Sequence, residues 1–171
     1  MAIVLRGHEV LLRPARDDDA GALTAILAEP SVDRWWPDHD RHRVETDLLR
    51  PERDVAAYAI EADGRVVGLI QVTEEPEPEF RHAALDLFIA TDAQGRGLGP
   101  DTIRTIAAHL FDEEGHHRIT IDPAADNAPA IRAYAKVGFR PVGRLRRYQR
   151  MPDGTWIDGL LMELLAEDLV R

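Results

Sequence analysis

Leu85-Asp86-Leu87-Phe88-Ile89-Ala90, followed three residues later by Gln94-Gly95-Arg96-Gly97-Leu98-Gly99, decides how this chain folds. The first piece belongs to an apolar strand over residues 81–90, and the second is a glycine-rich turn. Beyond it, Ile103, Ile106, Ala107 and Leu110 recur at helical spacing, predicting a helix over about 100–114 with Gly115 as its C-terminal cap. A glycine turn that opens onto a helix N-terminus brings unpaired N–H groups and a partial positive charge where a ligand can approach the backbone closely. That chemistry suits a phosphate or pyrophosphate. A nucleoside-triphosphatase loop needs Gly-Lys-Ser/Thr, but Gly99 is followed by Pro100-Asp101. A dinucleotide-binding fingerprint needs its third glycine at position 100, where proline stands. A plain connecting turn is the remaining alternative.

Upstream of that stretch, residues 10–14 read as a strand stopped by Pro14. Asp17, Asp18 and Asp19 supply acids to the first turn of a helix whose apolar face is Leu23, Ile26 and Leu27. A loop with Trp35-Trp36-Pro37 precedes a helical stretch over about 41–49. Residues 55–61 and 65–72 form a hairpin about Ala62-Asp63-Gly64, and the acidic, proline-rich residues 74–79 read as an exposed loop. Downstream come a strand at 118–121 stopped by Asp122-Pro123 and a helix at about 127–137 ending at Gly138. Strands at about 139–148 and 155–164 close the chain, turning at Pro152-Asp153-Gly154. With no repeat and no linker, residues 1–171 are expected to form one α+β (mixed α/β) domain.

Composition narrows the function. The net charge of −10, from 31 acidic and 21 basic residues, argues against nucleic acid as the partner, because phosphate binding needs a concentrated positive face. It fits a cationic small substrate, or simply a solvated acidic surface. No run approaches the roughly 18 apolar residues of a membrane span. The first twelve residues lack a signal-peptide layout, so no membrane partner and a cytoplasmic location are expected. There is no cysteine, hence no thiol chemistry. The seven histidines lack metal-ligand spacing, and no metal is expected.

The 94–99 loop together with Asn127-x-x-Ala130-Ile131-Arg132-x-Tyr134-x-Lys136-x-Gly138-Phe139 resembles the GNAT superfamily of N-acetyltransferases. The resemblance covers nearly the whole chain. It implies a central, mostly antiparallel, twisted sheet of about seven strands, flanked by about four helices. The fourth and fifth strands would splay around acetyl-CoA, the cosubstrate. Backbone at Gln94, Gly95, Arg96, Gly97, Leu98 and Gly99 would take the pyrophosphate, while Phe88, Ile89 and Ala90 would meet the pantetheine arm along with Asn127. Pro100 departs from the family pattern by lacking an N–H. Trp35-Trp36, Leu85-Asp86 and Thr120-Ile121-Asp122-Pro123 narrow the resemblance to aminoglycoside 6′-N-acetyltransferases, which border on siderophore or lysine-type N-acyltransferases. A non-catalytic acyl-CoA sensor is a third alternative, disfavoured by the retention of both Asp86 and Tyr134.

An amine attacks a thioester only as its free base, so a proton acceptor is useful. Asp86 is the expected base and amine-binding group, since a carboxylate on a strand whose apolar faces mark it as buried is costly unless paired or functional. Pairing with Arg81, His82 or backbone is the competing account. Tyr134 is the expected acid toward the departing thiolate, or else a core tyrosine. Asp122 would bind a substrate ammonium or cap a turn. Trp35 and Trp36 would wall the acceptor site. Arg144, Arg146, Arg147 and Arg150 would either reach the ribose phosphate or mark an exposed strand. Monomer and homodimer both stay open.

Overall fold

In the computed structural model, which describes residues 3–171, the strands form one eight-stranded sheet. They are β1 (Leu5–Arg6), β2 (Leu11–Pro14), β3 (Val55–Ala62), β4 (Arg65–Glu75), β5 (His82–Ile89), β6 (Arg118–Ile121), β7 (Arg140–Arg150) and β8 (Trp156–Leu165). Their spatial order is β1-β2-β3-β4-β5-β6-β8-β7, antiparallel throughout except for the parallel pair β5–β6. The seven expected strands are all present. The eighth, β1, has two residues, too few to show a period-two pattern in the sequence. The helices are α1 (Ala20–Leu27), α2 (Pro30–Asp33), α3 (Arg41–Arg43), α4 (Leu98–Asp112) and α5 (Ala128–Val137).

The sheet opens at one place. Only Ala83, Ala84 and Leu85 of β5 pair with β6, opposite Ile119, Thr120 and Ile121. β5 then runs on to Ile89, whereas the chain after Ile121 bends toward β8: the Leu160 N–H donates to the Pro123 carbonyl at 2.9 Å, and Ala124 bridges to Gly159. Pro123 has no N–H with which to extend the parallel ladder. The expected splay therefore lies between β5 and β6, and its wedge begins at Asp86.

Directly paired residues share a face of a sheet. Ala57, Gln71 and Asp86 line up on one face, and Ala56, Val72 and Leu85 on the other. The first face carries the segment from α1 through the turn after α3: Trp36 packs edge-on against Phe88 at 5.1 Å, and the Gln71 amide donates to the Asp47 carbonyl at 3.2 Å. The second face carries α4, whose Ile106 and Leu110 share a cavity wall with Tyr58 and Val72. β4 lies between two strands and beneath both layers, so Leu69 and Ile70 are both wholly buried although they point opposite ways.

Several boundaries differ from the sequence reading. β4 continues to Glu75, taking Glu74 and Glu75 out of the expected loop because they pair with Ala83 and His82. The expected helix over 41–49 is three α-helical residues followed by a π-helical turn, Val44–Leu48. α4 starts at Leu98, so Pro100 is its third residue rather than its first. A proline is still tolerated there, since first-turn N–H groups have no helical partner to lose.

Candidate active site

The glycine loop is built to leave backbone uncovered. Gly95 and Gly97 have φ of +72° and +83°, the left-handed region, and Gly97 is the N-cap of α4. Beyond the adjoining residues, no atom lies within 4 Å of the position a Cβ would take on either glycine. A side chain there would be strained and would stand in that open space. The loop's own side chains are turned away. The Gln94 amide donates to the Ile89 carbonyl at 2.9 Å, Arg96 pairs with Asp63 at 2.8 Å, and Leu98 is buried. Asp101, in the first turn of α4, spends its carboxylate on the N–H groups of His8, Glu9 and Val10 at 3.0, 2.7 and 3.1 Å. A helix start with an open rim and no competing free acid fits the diphosphate of a coenzyme.

Of the backbone groups expected to meet the pantetheine arm, the Ala90 N–H already donates to the Val67 carbonyl at 2.8 Å. The Ile89 carbonyl is held by Gln94, and the Phe88 side chain is buried under Trp36. Asn127 is the N-cap of α5, with Oδ1 accepting the Ala130 N–H at 3.3 Å. Its Nδ2 remains a donor for a second partner.

Asp86 sits at the root of the wedge. The sequence reading placed it on a strand buried on both faces; instead its side chain is exposed, because the parting of β5 and β6 leaves the cleft open beside it. Enough protein surrounds the carboxyl to raise its pKa to about 7, chiefly by desolvation and then by the charge of Asp122, with the Leu87 N–H pulling the other way. Arg81 is engaged elsewhere, with Glu74 at 3.2 Å, and no cation is among the groups acting on Asp86. Asp122 is also raised, by desolvation first, while a 2.6 Å hydrogen bond from the Tyr148 hydroxyl opposes the rise. Tyr134 is buried on α5 with its ring 6.2 Å from Phe139; burial, then Asp86, then Asp122 push its phenol well above the usual range. Two carboxyls and two phenols thus act on one another at the splay.

The tandem tryptophans divide. Trp36 joins the wall over Phe88 and lies 5.7 Å from His39, whereas Trp35 is covered by its neighbour Arg34, whose guanidinium carbon is 4.7 Å from the ring centre. Tyr148 and Gln71 were missed by the sequence reading. Gln71 is the one polar side chain between Val66 and Val72, a detectable signal; nothing local marks Tyr148, which reaches Asp122 from a strand two positions away in the sheet. A separate group, Glu74, Glu114 and His116, has potential ligand atoms within 4.8 Å of one another. Arg81 already binds Glu74, and His109 lies 2.9 Å from Glu114, so both acids have partners within the protein.

The sequence from 9 to 140 matches the family described as Acetyltransferase (GNAT) domain. The aminoglycoside N(6')-acetyltransferase type 1 of Klebsiella pneumoniae is 26% identical over 164 residues, covering 85% of this chain and 79% of that protein. The L-amino acid N-acetyltransferase AaaT of Escherichia coli K12 is 27% identical over 158 residues, covering 90% and 96%. Mycobacterium smegmatis RimJ, solved in complex with CoA-disulfide, superposes with a TM-score of 0.80 at 27% identity, covering 99% of this chain and 89% of RimJ. The mostly antiparallel sheet, the splay and the open glycine loop are those the resemblance implies, and the chain belongs to the GNAT family as an N-acetyltransferase whose cosubstrate is acetyl-CoA.

Proposed function

We propose that this acetyltransferase modifies a primary amine of a small cationic substrate, with the 6′-amine of an aminoglycoside as the first class to test. The observation that carries this reading is the pair Asp86 and Asp122 at the splay, two carboxyls raised by desolvation with no arginine or lysine among the groups acting on either. An ammonium group is the natural counter-charge for them. The likeness to the Klebsiella pneumoniae enzyme supports the choice of aminoglycoside, and the likeness to AaaT, an L-amino acid N-acetyltransferase, supports an amino acid, lysine-type ones included, as a second reading.

Acetyl-CoA supplies the thioester acetyl group and the leaving thiolate. In this reading Asp86 receives the amine's proton. An aliphatic ammonium near pKa ~10 gives up little to a carboxylate near 7; the small free-base fraction attacks the thioester carbon, and its nitrogen, strongly acidic once that bond forms, passes a proton to ionised Asp86. A base near 7 is about half ionised at neutral pH yet basic enough to take that proton. Tyr134 stays protonated, so it donates a hydrogen bond toward the sulfur. Complete transfer of its proton to a thiolate of pKa ~8.5 is uphill from so weak an acid, and stabilisation rather than protonation is its role. Trp36 limits the acceptor side, and Asn127 and the 94–99 backbone hold the coenzyme.

Thiol release from acetyl-CoA, followed spectrophotometrically against aminoglycosides, polyamines and lysine derivatives, tests the proposal. Release with at least one of these amines well above the amine-free rate is expected. No amine-dependent release from protein that binds the coenzyme would overturn the reading.

A further inference from the structure

β7 is the outermost strand beside β8, and it does not run straight. Leu145 pairs with Gly159 and Gln149 with Ile157, so four steps along β7 match two along β8. The two surplus residues form a bulge over Arg146, Arg147 and Tyr148. Arg147 has φ of +51°, a conformation that a residue with a side chain adopts at a cost. The bulge is held from three sides. Asp158 accepts the Arg147 N–H at 2.7 Å and the Arg144 Nε–H at 2.6 Å. The Tyr148 ring covers Gly159 so closely that a Cβ there would come within 2.8 Å of it. The Tyr148 hydroxyl donates to Asp122 at 2.6 Å. Bulges fixed in this way commonly re-aim side chains beside a reaction centre.

The side chains re-aimed here are cationic. Arg144, Arg146, Arg147, Tyr148 and Asp158 line an open pocket that Tyr148 joins to the acceptor side of the splay. Asp158 neutralises Arg144 at 2.6 Å. Among the described residues no carboxylate forms an ion pair with Arg146 or Arg147. Two unpaired guanidiniums in the pocket beyond Tyr148, set apart from a carboxylate pair on which no arginine acts, are a poor surround for a substrate that is cationic throughout, since like charges there cost affinity. They suit a molecule with an anion at a fixed distance from its amine.

We infer that the β7 bulge is a carboxylate subsite, in which Arg146 and Arg147 bind an acidic group of the acceptor while Asp86 and Asp122 receive its amine. The inference rests on the acceptor site proposed above and selects within it: diamino acids of the lysine type, net cationic yet bearing a carboxylate, are favoured over polyamines and aminoglycosides. Guanidinium is the side chain best shaped to hold a carboxylate through paired hydrogen bonds.

Three acceptors separate the charge from the amine: lysine, lysine methyl ester and cadaverine, each assayed for kcat/KM by thiol release with wild type, Arg146→Gln and Arg147→Gly. Glycine at 147 keeps the left-handed backbone while removing the guanidinium. Wild type should prefer lysine over both analogues by about 10-fold or more, the scale of one charge-assisted hydrogen bond. Each variant should shrink that preference by about 10-fold, mainly through KM for lysine. Equal use of lysine and its ester by wild type overturns the subsite, as does a preference that survives both substitutions. Brisk acetylation of cadaverine or an aminoglycoside with no advantage for lysine defeats the subsite but leaves the acceptor site standing. No release with any amine defeats both.

Discussion

At the scale of single residues, the proposed chemistry turns on how hard Asp86 is to ionise. A carboxylate with an ordinary pKa would be a weak base, and burial without an opening would leave it useless to a substrate. The splay gives it both desolvation and access. Asp86→Asn should lower kcat about 10²- to 10⁴-fold, the usual worth of a positioned base, with little change in acetyl-CoA affinity by calorimetry. An unaltered kcat would remove Asp86 from the mechanism. Because the ionised form is the active one, wild-type kcat/KM should climb about tenfold per pH unit below about 7 and level off above it. A flat profile through that range contradicts the assignment. The folded-state pKa lies above the ordinary value, so ionisation of Asp86 opposes folding increasingly as pH rises from about 4 toward 7. The asparagine variant should therefore be at least as stable as wild type at pH 8. Asp86 was legible in the sequence as an odd carboxylate among apolar residues, but its exposure was not, because alternation along a strand does not reveal where a neighbouring strand turns away.

At the scale of elements, the proposed coenzyme site at the start of α4 is built from backbone, not side chains. Gly97→Val would force a branched residue to adopt a φ of +83° and place methyl groups over the open rim. Weakening of CoA binding by about 10-fold or more is expected in isothermal titration; an unchanged dissociation constant would move the diphosphate elsewhere. The glycines were readable in sequence because no other residue serves that geometry at so little cost. The helix boundary was less so: Pro100 invites placement at a first turn, which is correct, but at its third residue rather than its first. In β7 the sequence showed only a run of arginines. The bulge that gathers them in one pocket depends on Asp158 and Gly159 of the next strand, and on Tyr148 crossing to Asp122.

At the scale of the whole molecule, one ionic cluster ties the first layer to the sheet. Arg13 of β2 pairs with Asp19, just ahead of α1, at 2.8 Å, and with Glu61 of β3 at 2.6 Å; the Arg13 and Asp19 side chains are only 13% and 6% exposed. Burial alone would raise the Asp19 pKa, but the Arg13 guanidinium and the Arg16 N–H outweigh it and hold the carboxyl below its usual range. Its contribution is therefore present above the unfolded pKa and lost as pH falls through the lower folded value. Asp19→Ala should cost about 2–3 kcal/mol in urea unfolding at pH 7, less than the roughly 3–5 of an orphaned buried charge because Glu61 still serves Arg13. A loss below about 0.5 kcal/mol would show that the cluster does not couple these elements. Periodicity and turn residues were enough to place seven strands, the α4 and α5 helices and the glycine loop, since hydrophobic spacing and left-handed turns are local properties of the chain. They also carried the family's motifs, and with them the reaction. The parting of β5 from β6, the exposed but desolvated Asp86, the division of Trp35 from Trp36 and the arginine-bearing bulge arose only in three dimensions. Each depends on contacts between segments tens of residues apart, whose relative placement is set by packing of the whole sheet and not by any window of sequence.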